Sequence, residues 1–281
     1  MPGRPIGIFD SGIGGLTVLA AARRRLPAES FIYLGDTARV PYGTKGSDTV
    51  LRYALQAAAF LVDRGVKMLV VACNTAASVA LPELARNFRL PVVGVIEPGA
   101  ELACRLTRSG QIGVIGTEGT ITSCAYDRAI LRRRPDARIF STPCPLFVPL
   151  AEEGWGDHPV AETCAREYLS PLLEAGIDSL VLGCTHYPLL KPVLRRVVGP
   201  EVQLVDSAEA TAEMMVSLLG EDGRVPETGQ TGTVAFYVTD LPERFCRVGR
   251  PFLGDELDRV ELADLVLPAG GSDMLFRSVP R

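Results

Sequence analysis

Short, fully apolar runs alternate with longer amphipathic ones along most of the chain. Runs at 5–9, 30–34, 68–72, 92–96, 111–115, 138–141, 179–182 and 203–205 are rich in β-branched and aliphatic residues and predict strands. Several carry almost no polar position, which is the pattern of strands covered on both faces by helices. Between them, residues 16–25, 48–64, 76–87, 122–134, 159–175 and 191–198 predict helices. In the second of these the apolar stripe is Leu51, Ala54, Leu55, Ala58, Leu61 and Val62. Gly65 and Gly176 stand just past two helices, where a left-handed cap is wanted. The alternation is that of an α/β protein with mainly parallel sheets.

The pattern also repeats. Ile6-Gly-Ile-Phe-Asp-Ser-Gly matches Ile112-Gly-Val-Ile-Gly-Thr-Glu, and Leu69-Val-Val-Ala-Cys-Asn-Thr matches Leu180-Val-Leu-Gly-Cys-Thr-His. Val92-Val-Gly-Val-Ile-Glu likewise matches Glu201-Val-Gln-Leu-Val-Asp. The offsets (6 to 112, 69 to 180, 92 to 201) are 106, 111 and 109 residues, in the same order. Two similar α/β units follow, over 1–97 and 98–206. The remaining stretch, 207–281, begins with a helix-like run at 208–219 and a short strand at 233–238. It is too small for a third domain and is expected to pack back on the first unit. The predicted architecture is two pseudo-symmetric α/β domains, 1–97 with 207–281 and 98–206, with the site in the cleft between them.

Composition narrows the function classes. With 281 residues, 47% hydrophobic and 22% charged, the chain is an ordinary globular protein of about two domains, not a disordered one. The net charge of −4 lacks the basic footprint of a nucleic-acid binder. The basic runs at 23–25 and 132–134 read as solvated helix ends. No apolar run approaches the ~18 residues of a membrane span. The N-terminus enters a strand without a signal-peptide core, so the cytoplasm is the expected compartment. Seven cysteines there are thiols, each either core filler or reactive.

Two of them stand out. Cys73 and Cys184 occupy the same point in the two repeats, after a buried-looking strand and before small polar residues and a helix. That is the carboxyl edge of a parallel strand, where open α/β sheets bind ligands. Helix-start amides there favour anions and lower a thiol's pKa from its free value of ~8.5. Two thiols facing one cleft suit a two-sided reaction. One takes the hydrogen from a chiral α-carbon and the other returns it on the opposite face. His186 can donate a proton, orient the cleft or hold a thiolate. Asp10, at the end of the first strand, can bind an ammonium group or tune a thiol. Asn74, Thr75 and Thr185 have short side chains that suit N-caps and equally a bound carboxylate. Thr117 and Thr120 stand where Asp10 stands in the first repeat. Ser11 adjoins Asp10, Tyr42 and Gly43 form a turn after the second strand, and Glu152 lies in a loop-like stretch.

Cofactors find little support. Gly12-x-Gly14-x-x-Thr17 has Thr where a dinucleotide fingerprint needs Gly or Ala. The three lysines, Lys45, Lys67 and Lys191, have no evident phosphate cradle for a pyridoxal Schiff base. There is no Cys-x-x-Cys, and the two histidines and scattered cysteines show no metal-ligand spacing. A cofactor-free, metal-free reaction is expected.

Four motifs in order resemble those of the glutamate racemases: Phe-Asp-Ser-Gly-Ile-Gly-Gly-Leu-Thr, Tyr-Leu-Gly-Asp-Thr-Ala-Arg-Val-Pro-Tyr-Gly, Ala-Cys-Asn-Thr-Ala and Leu-Gly-Cys-Thr-His-Tyr-Pro-Leu. The resemblance covers roughly 5–220. It implies cofactor-independent interconversion of L- and D-glutamate, supplying D-glutamate for peptidoglycan. It implies that Cys73 exchanges the proton on the D side and Cys184 on the L side, assisted by Asp10 and His186, with Glu152 a weaker candidate. Asp10, Ser11, Tyr42, Gly43, Asn74, Thr75, Thr185 and His186 would bind substrate, with contacts from Thr117 and Thr120. Members of the family are commonly homodimers, and a few are reported to interact with DNA gyrase. Two alternatives stay open: a racemase of aspartate or another small amino acid, and a non-catalytic amino-acid-binding or gyrase-interacting protein.

Overall fold

The computed structural model describes residues 3–220, 231–253, 257 and 259–265. Its strands are β1 (Ile6–Asp10), β2 (Phe31–Gly35), β3 (Met68–Val71), β4 (Val92–Gly94), β5 (Gln111–Gly116), β6 (Arg138–Pro143), β7 (Ser179–Gly183), β8 (Gln203–Asp206), β9 (Val234–Val238) and β10 (Val260–Leu262). Its helices are α1 (Leu16–Arg25), α2 (Ser47–Asp63), α3 (Asn74–Asn87), α4 (Ile96–Leu106), α5 (Glu118–Thr122), α6 (Ala125–Arg133), α7 (Phe147–Glu152), α8 (Pro159–Glu174), α9 (Lys191–Val198), α10 (Ser207–Leu219) and α11 (Pro242–Leu253).

They form two sheets, ordered β10-β9-β2-β1-β3-β4 and β6-β5-β7-β8, and the strands of both pair in parallel. Each repeat therefore has the same topology: its second strand lies to one side of its first, its third and fourth to the other. The chain reverses direction across the sheet between β1 and β3, and again between β5 and β7. Those two reversals leave a crevice at the carboxyl ends of the strands, because the connecting helices diverge to opposite faces there. The echo of 106 to 111 residues is thus a repeated switch point.

Burial follows from the covering helices. Every residue of β1, β2, β3 and β7 is buried. Along β7 the faces alternate, as strand geometry demands. Val181 joins a core continuous with the first sheet, through α4, α6 and α10. Leu180 and Leu182 face a second core with Phe147, Leu169 and Val193. Gly65 and Gly176 cap α2 and α8 at φ 75° and 77°, as their positions past the helix ends predict.

Several local expectations are corrected. The helix expected at 122–134 is two, α5 and α6, because Cys124 adopts a left-handed conformation at φ 51°. Residues 92–96 do not stay extended, since the chain turns into α4 after Gly94. Glu152 ends a helix, α7, instead of lying in a loop. Asn74 and Thr75 are the first residues inside α3, and the N-cap is Cys73 itself. The strand β9 adds to the first sheet beside β2, and α11 returns over α1, so that segment carries Cys246 on a helix. The last residues, 266–281, lie outside the described residues. Among the described residues no helix is long and apolar enough to cross a membrane.

Candidate active site

A cavity of about 200 Å³ opens at the two switch points, smaller than the ~300–1,000 Å³ typical of drug-sized ligands. The first repeat contributes Ser11, Tyr42, Gly43, Cys73, Asn74 and Thr75 to its wall; the second contributes Thr117, Thr120, Cys184, Thr185, His186 and Glu152. Asp10 alone among the sequence candidates does not line it. Its carboxylate lies fully buried behind the wall, accepting from the Gly12 amide at 2.9 Å and from Thr185 Oγ1 at 3.4 Å. It braces the loop that carries Ser11 and the segment that carries Cys184. Among the described residues no three His, Cys, Asp or Glu side chains gather as a metal site.

Cys73 caps α3, with the Ala76 amide 3.5 Å from its sulfur and Ser11 Oγ at 3.6 Å. The helix-start amide lowers the thiol's pKa as expected, yet the net direction is the reverse. Burial, reinforced by the charge of Asp10, pushes Cys73 up to about 12. Burial likewise raises Asp10, against the opposing pull of His186, the amides of Gly12 and Gly15, and Thr185.

Cys184 has a different neighbour. Its sulfur is 3.8 Å from His186 Nδ1, and His186 Nε2 lies 3.1 Å from Glu152 Oε1. Burial alone would lower the imidazole pKa. The contacts with Cys184 and Glu152, with the charge of Asp10, outweigh burial and raise it to about 10. Burial would raise Glu152, but His186 and Arg244 together hold it below the usual carboxylate range. The two thiols thus sit in unlike settings: one beside a hydroxyl and a carboxylate, the other beside an imidazolium.

The folded imidazole keeps its proton up to about pH 10, the unfolded one only below 6.5. Its contribution to stability is complete below pH 6.5 and is lost as pH rises through about 10. Glu152 acts in the opposite sense, since its pKa is depressed: its contribution is present above 4.5 and lost as pH falls. The melting-temperature difference between wild type and His186→Gln should therefore be widest between pH 4.5 and 6.5 and shrink toward pH 10. A difference that stayed flat with pH would contradict a charged His186.

Across the cavity, Thr75 Oγ1 lies 2.9 Å from Thr117 Oγ1 and 3.2 Å from Thr120 Oγ1, so the two repeats meet in a cluster of hydroxyls. The Tyr126 hydroxyl donates to Asn74 Oδ1 at 2.7 Å, and the buried Asn74 amide nitrogen has no partner among the described residues. Tyr42 donates its hydroxyl to buried Asp36, which also accepts from Arg39 Nε at 2.7 Å and Thr239 Oγ1 at 2.9 Å. Burial, then the Asp36 carboxylate, raise the Tyr42 pKa strongly, so the phenol stays neutral.

Sequence patterning missed the apolar wall of Val148 and Pro149, because α7 reads as a loop. It also missed Arg244, whose Nη2 donates to Glu152 Oε2 at 2.8 Å. No spacing connects two residues 92 positions apart.

The same architecture occurs in known proteins. The model of the Asp/Glu/Hydantoin racemase family matches residues 16–215. A glutamate racemase of Geobacter metallireducens is 57% identical over 260 residues, covering 92% of this chain and 96% of that one. The crystal structure of glutamate racemase from Thermus thermophilus in complex with β-chloro-D-alanine is 46% identical, with TM-score 0.84 over 94% of this chain and 98% of that one. The structure from Francisella tularensis in complex with D-glutamate is 40% identical, with TM-score 0.87 over 94% and 99%. The chain belongs to the Asp/Glu/hydantoin racemase family.

Proposed function

We propose that this chain racemises glutamate without a cofactor, by proton exchange at the α-carbon between Cys73 and Cys184. The observation that carries the proposal is one thiol from each repeat on a single small cavity, each at the end of its own switch-point strand. The identity of the relatives as glutamate racemases supports the substrate.

From L-glutamate, the Cys184 thiolate takes the α-proton to leave a carbanion, and the Cys73 thiol then delivers its own proton to the opposite face. The product is D-glutamate, with Cys184 now a thiol and Cys73 a thiolate. Once the product leaves, Cys184 gives a proton to solvent and Cys73 takes one from it, which restores the first state, so atoms and charge balance over the cycle. Burial holds Cys73 as the thiol, which is its form at the start of the L-to-D direction. The His186 proton faces the Cys184 sulfur and supports negative charge there. The Asn74 amide and the Thr75, Thr117 and Thr120 hydroxyls hold the substrate carboxylates, with Ser11, Tyr42, Gly43 and Thr185 completing the wall. Asp10 acts from behind by bracing both sides. The same proposal makes the two domains 1–97 with 207–281 and 98–206, and the protein a cytoplasmic homodimer supplying D-glutamate for peptidoglycan.

The test is incubation with L-glutamate in D₂O with reduced thiols and nothing else added. Optical rotation should fall to zero as deuterium enters the α-position. No change in either signal from folded protein would overturn the proposal. Faster turnover of L-aspartate in the same assay would move the substrate and leave the two-thiol chemistry standing.

A further inference from the structure

We infer that Arg244, on the C-terminal helix α11, is a positioning residue for the Cys184 side of the site, acting through Glu152 and His186. The inference rests on the proposed role of Cys184 in proton exchange with L-glutamate.

The chain of contacts is continuous. Arg244 Nη2 donates to Glu152 Oε2 at 2.8 Å, Glu152 Oε1 meets His186 Nε2 at 3.1 Å, and His186 Nδ1 lies 3.8 Å from the Cys184 sulfur. Each Glu152 oxygen thus has its own cationic partner. With Arg244 gone, the carboxylate can turn about its last side-chain bond, and nothing else described fixes the angle at which it meets the imidazole. A hydrogen bond held from both ends loses less entropy than one held from one end.

The two ends of the pair are anchored in different cores. Glu152 closes α7, which is seated by Phe147, Leu150 and Ala151 in the core of the second sheet. Arg244 precedes Phe245, which is buried in the first core with its ring 5.9 Å from Tyr33 and 6.5 Å from Phe236. The ion pair therefore spans the cleft, and the imidazole beside Cys184 is fully oriented only when the two halves stand at this separation. Side-chain exposure supports a positioning role over a stabilising one. Arg244 is 41% exposed and Glu152 18%, so the pair adds little to folding, while His186, at 7%, has few other partners to orient it.

The experiment measures kcat/KM and primary deuterium isotope effects on wild type, Arg244→Met and Arg244→Lys, with α-deuterated L- and D-glutamate. Arg244→Met should lower kcat/KM by about 10- to 50-fold, the range a modest misplacement of a catalytic group produces. The enantiomers have equal free energy, so kcat/KM must fall equally in both directions. The isotope effects need not move together. With the Cys184 step slowed, the effect should rise for L-glutamate and fall toward unity for D-glutamate. Arg244→Lys keeps the charge and should recover most of the loss, with all three proteins melting within a few degrees of one another. An Arg244→Met variant with wild-type kinetics would overturn the inference, and so would isotope effects that move together. Absence of any exchange by the wild-type protein would instead sink the functional proposal, and this inference with it.

Discussion

Replacing either Cys73 or Cys184 by serine should lower glutamate racemisation by about 10³-fold or more, since positioned acid–base groups contribute ~10²–10⁴-fold each and a hydroxyl is far too weak an acid to share the task. Serine is close to cysteine in shape, and both thiols sit in polar-lined wall, so the fold and its melting temperature should change little. The two variants should also differ from each other. In D₂O, Cys73→Ser retains the thiol that serves L-glutamate and should put deuterium into L-glutamate without inverting it. Cys184→Ser should do the same to D-glutamate only. Full activity in either variant would rule out the two-thiol chemistry, and exchange into the wrong enantiomer would reverse the assignment of faces. Cys124 is exposed and does not line the cavity, so Cys124→Ser serves as the control and should behave as wild type.

The same two thiols show how far the sequence alone can be read. Their strand-end contexts repeat because each half must build a switch point, and a switch point needs an apolar strand followed by small residues. That requirement is written locally, so the repeat, the sheets and the polar side chains of the cavity wall were legible. Cys73, Cys184, Thr75 and Thr117 are positioned by the residues on either side of them. What stayed hidden depends on partners far along the chain. The helices α7 and α11 carry Pro149, Gly249 and Pro251, which read as breakers and are held helical by packing. The break at Cys124 has no glycine or asparagine to announce it. The direction of the Cys73 shift also turned on burial: the adjacent amide is visible in the sequence, whereas the depth at which the sulfur is buried is not. The sequence marks Asp10 both as an assistant of the thiols and as a substrate contact, and its position at a strand end is as expected. Its side chain turns inward because Gly12 and Thr185 supply hydrogen bonds behind the wall.

Gly14→Ala should reduce kcat/KM by about 100-fold, a loss comparable to displacing a catalytic group by ~1 Å. A Cβ at this position would press on Thr185 Oγ1 and lie 2.5 Å from His186 Nδ1 and 2.6 Å from Cε1. Neither neighbour can yield freely. Thr185 is tied to Asp10 through its hydroxyl and to Thr17 through its carbonyl, while His186 is held between Glu152 and Cys184. The imidazole must therefore leave the sulfur, or the loop after β1 must back away from the cavity and carry Ser11 with it. Either response damages proton exchange at a thiol. Overpacking of this kind costs ~1–3 kcal/mol, so the melting temperature should fall by a few degrees as well. The glycine's role here is to leave room for the opposite half of the molecule. Gly46→Ala makes the matched control, because a Cβ there meets nothing within 4 Å and the backbone, at φ −65°, accepts any residue. It should keep wild-type activity and stability. Wild-type kinetics in Gly14→Ala would mean that His186 and Thr185 have more freedom than this packing allows, and the close approach of the two halves at Gly14 would then have no part in aligning Cys184.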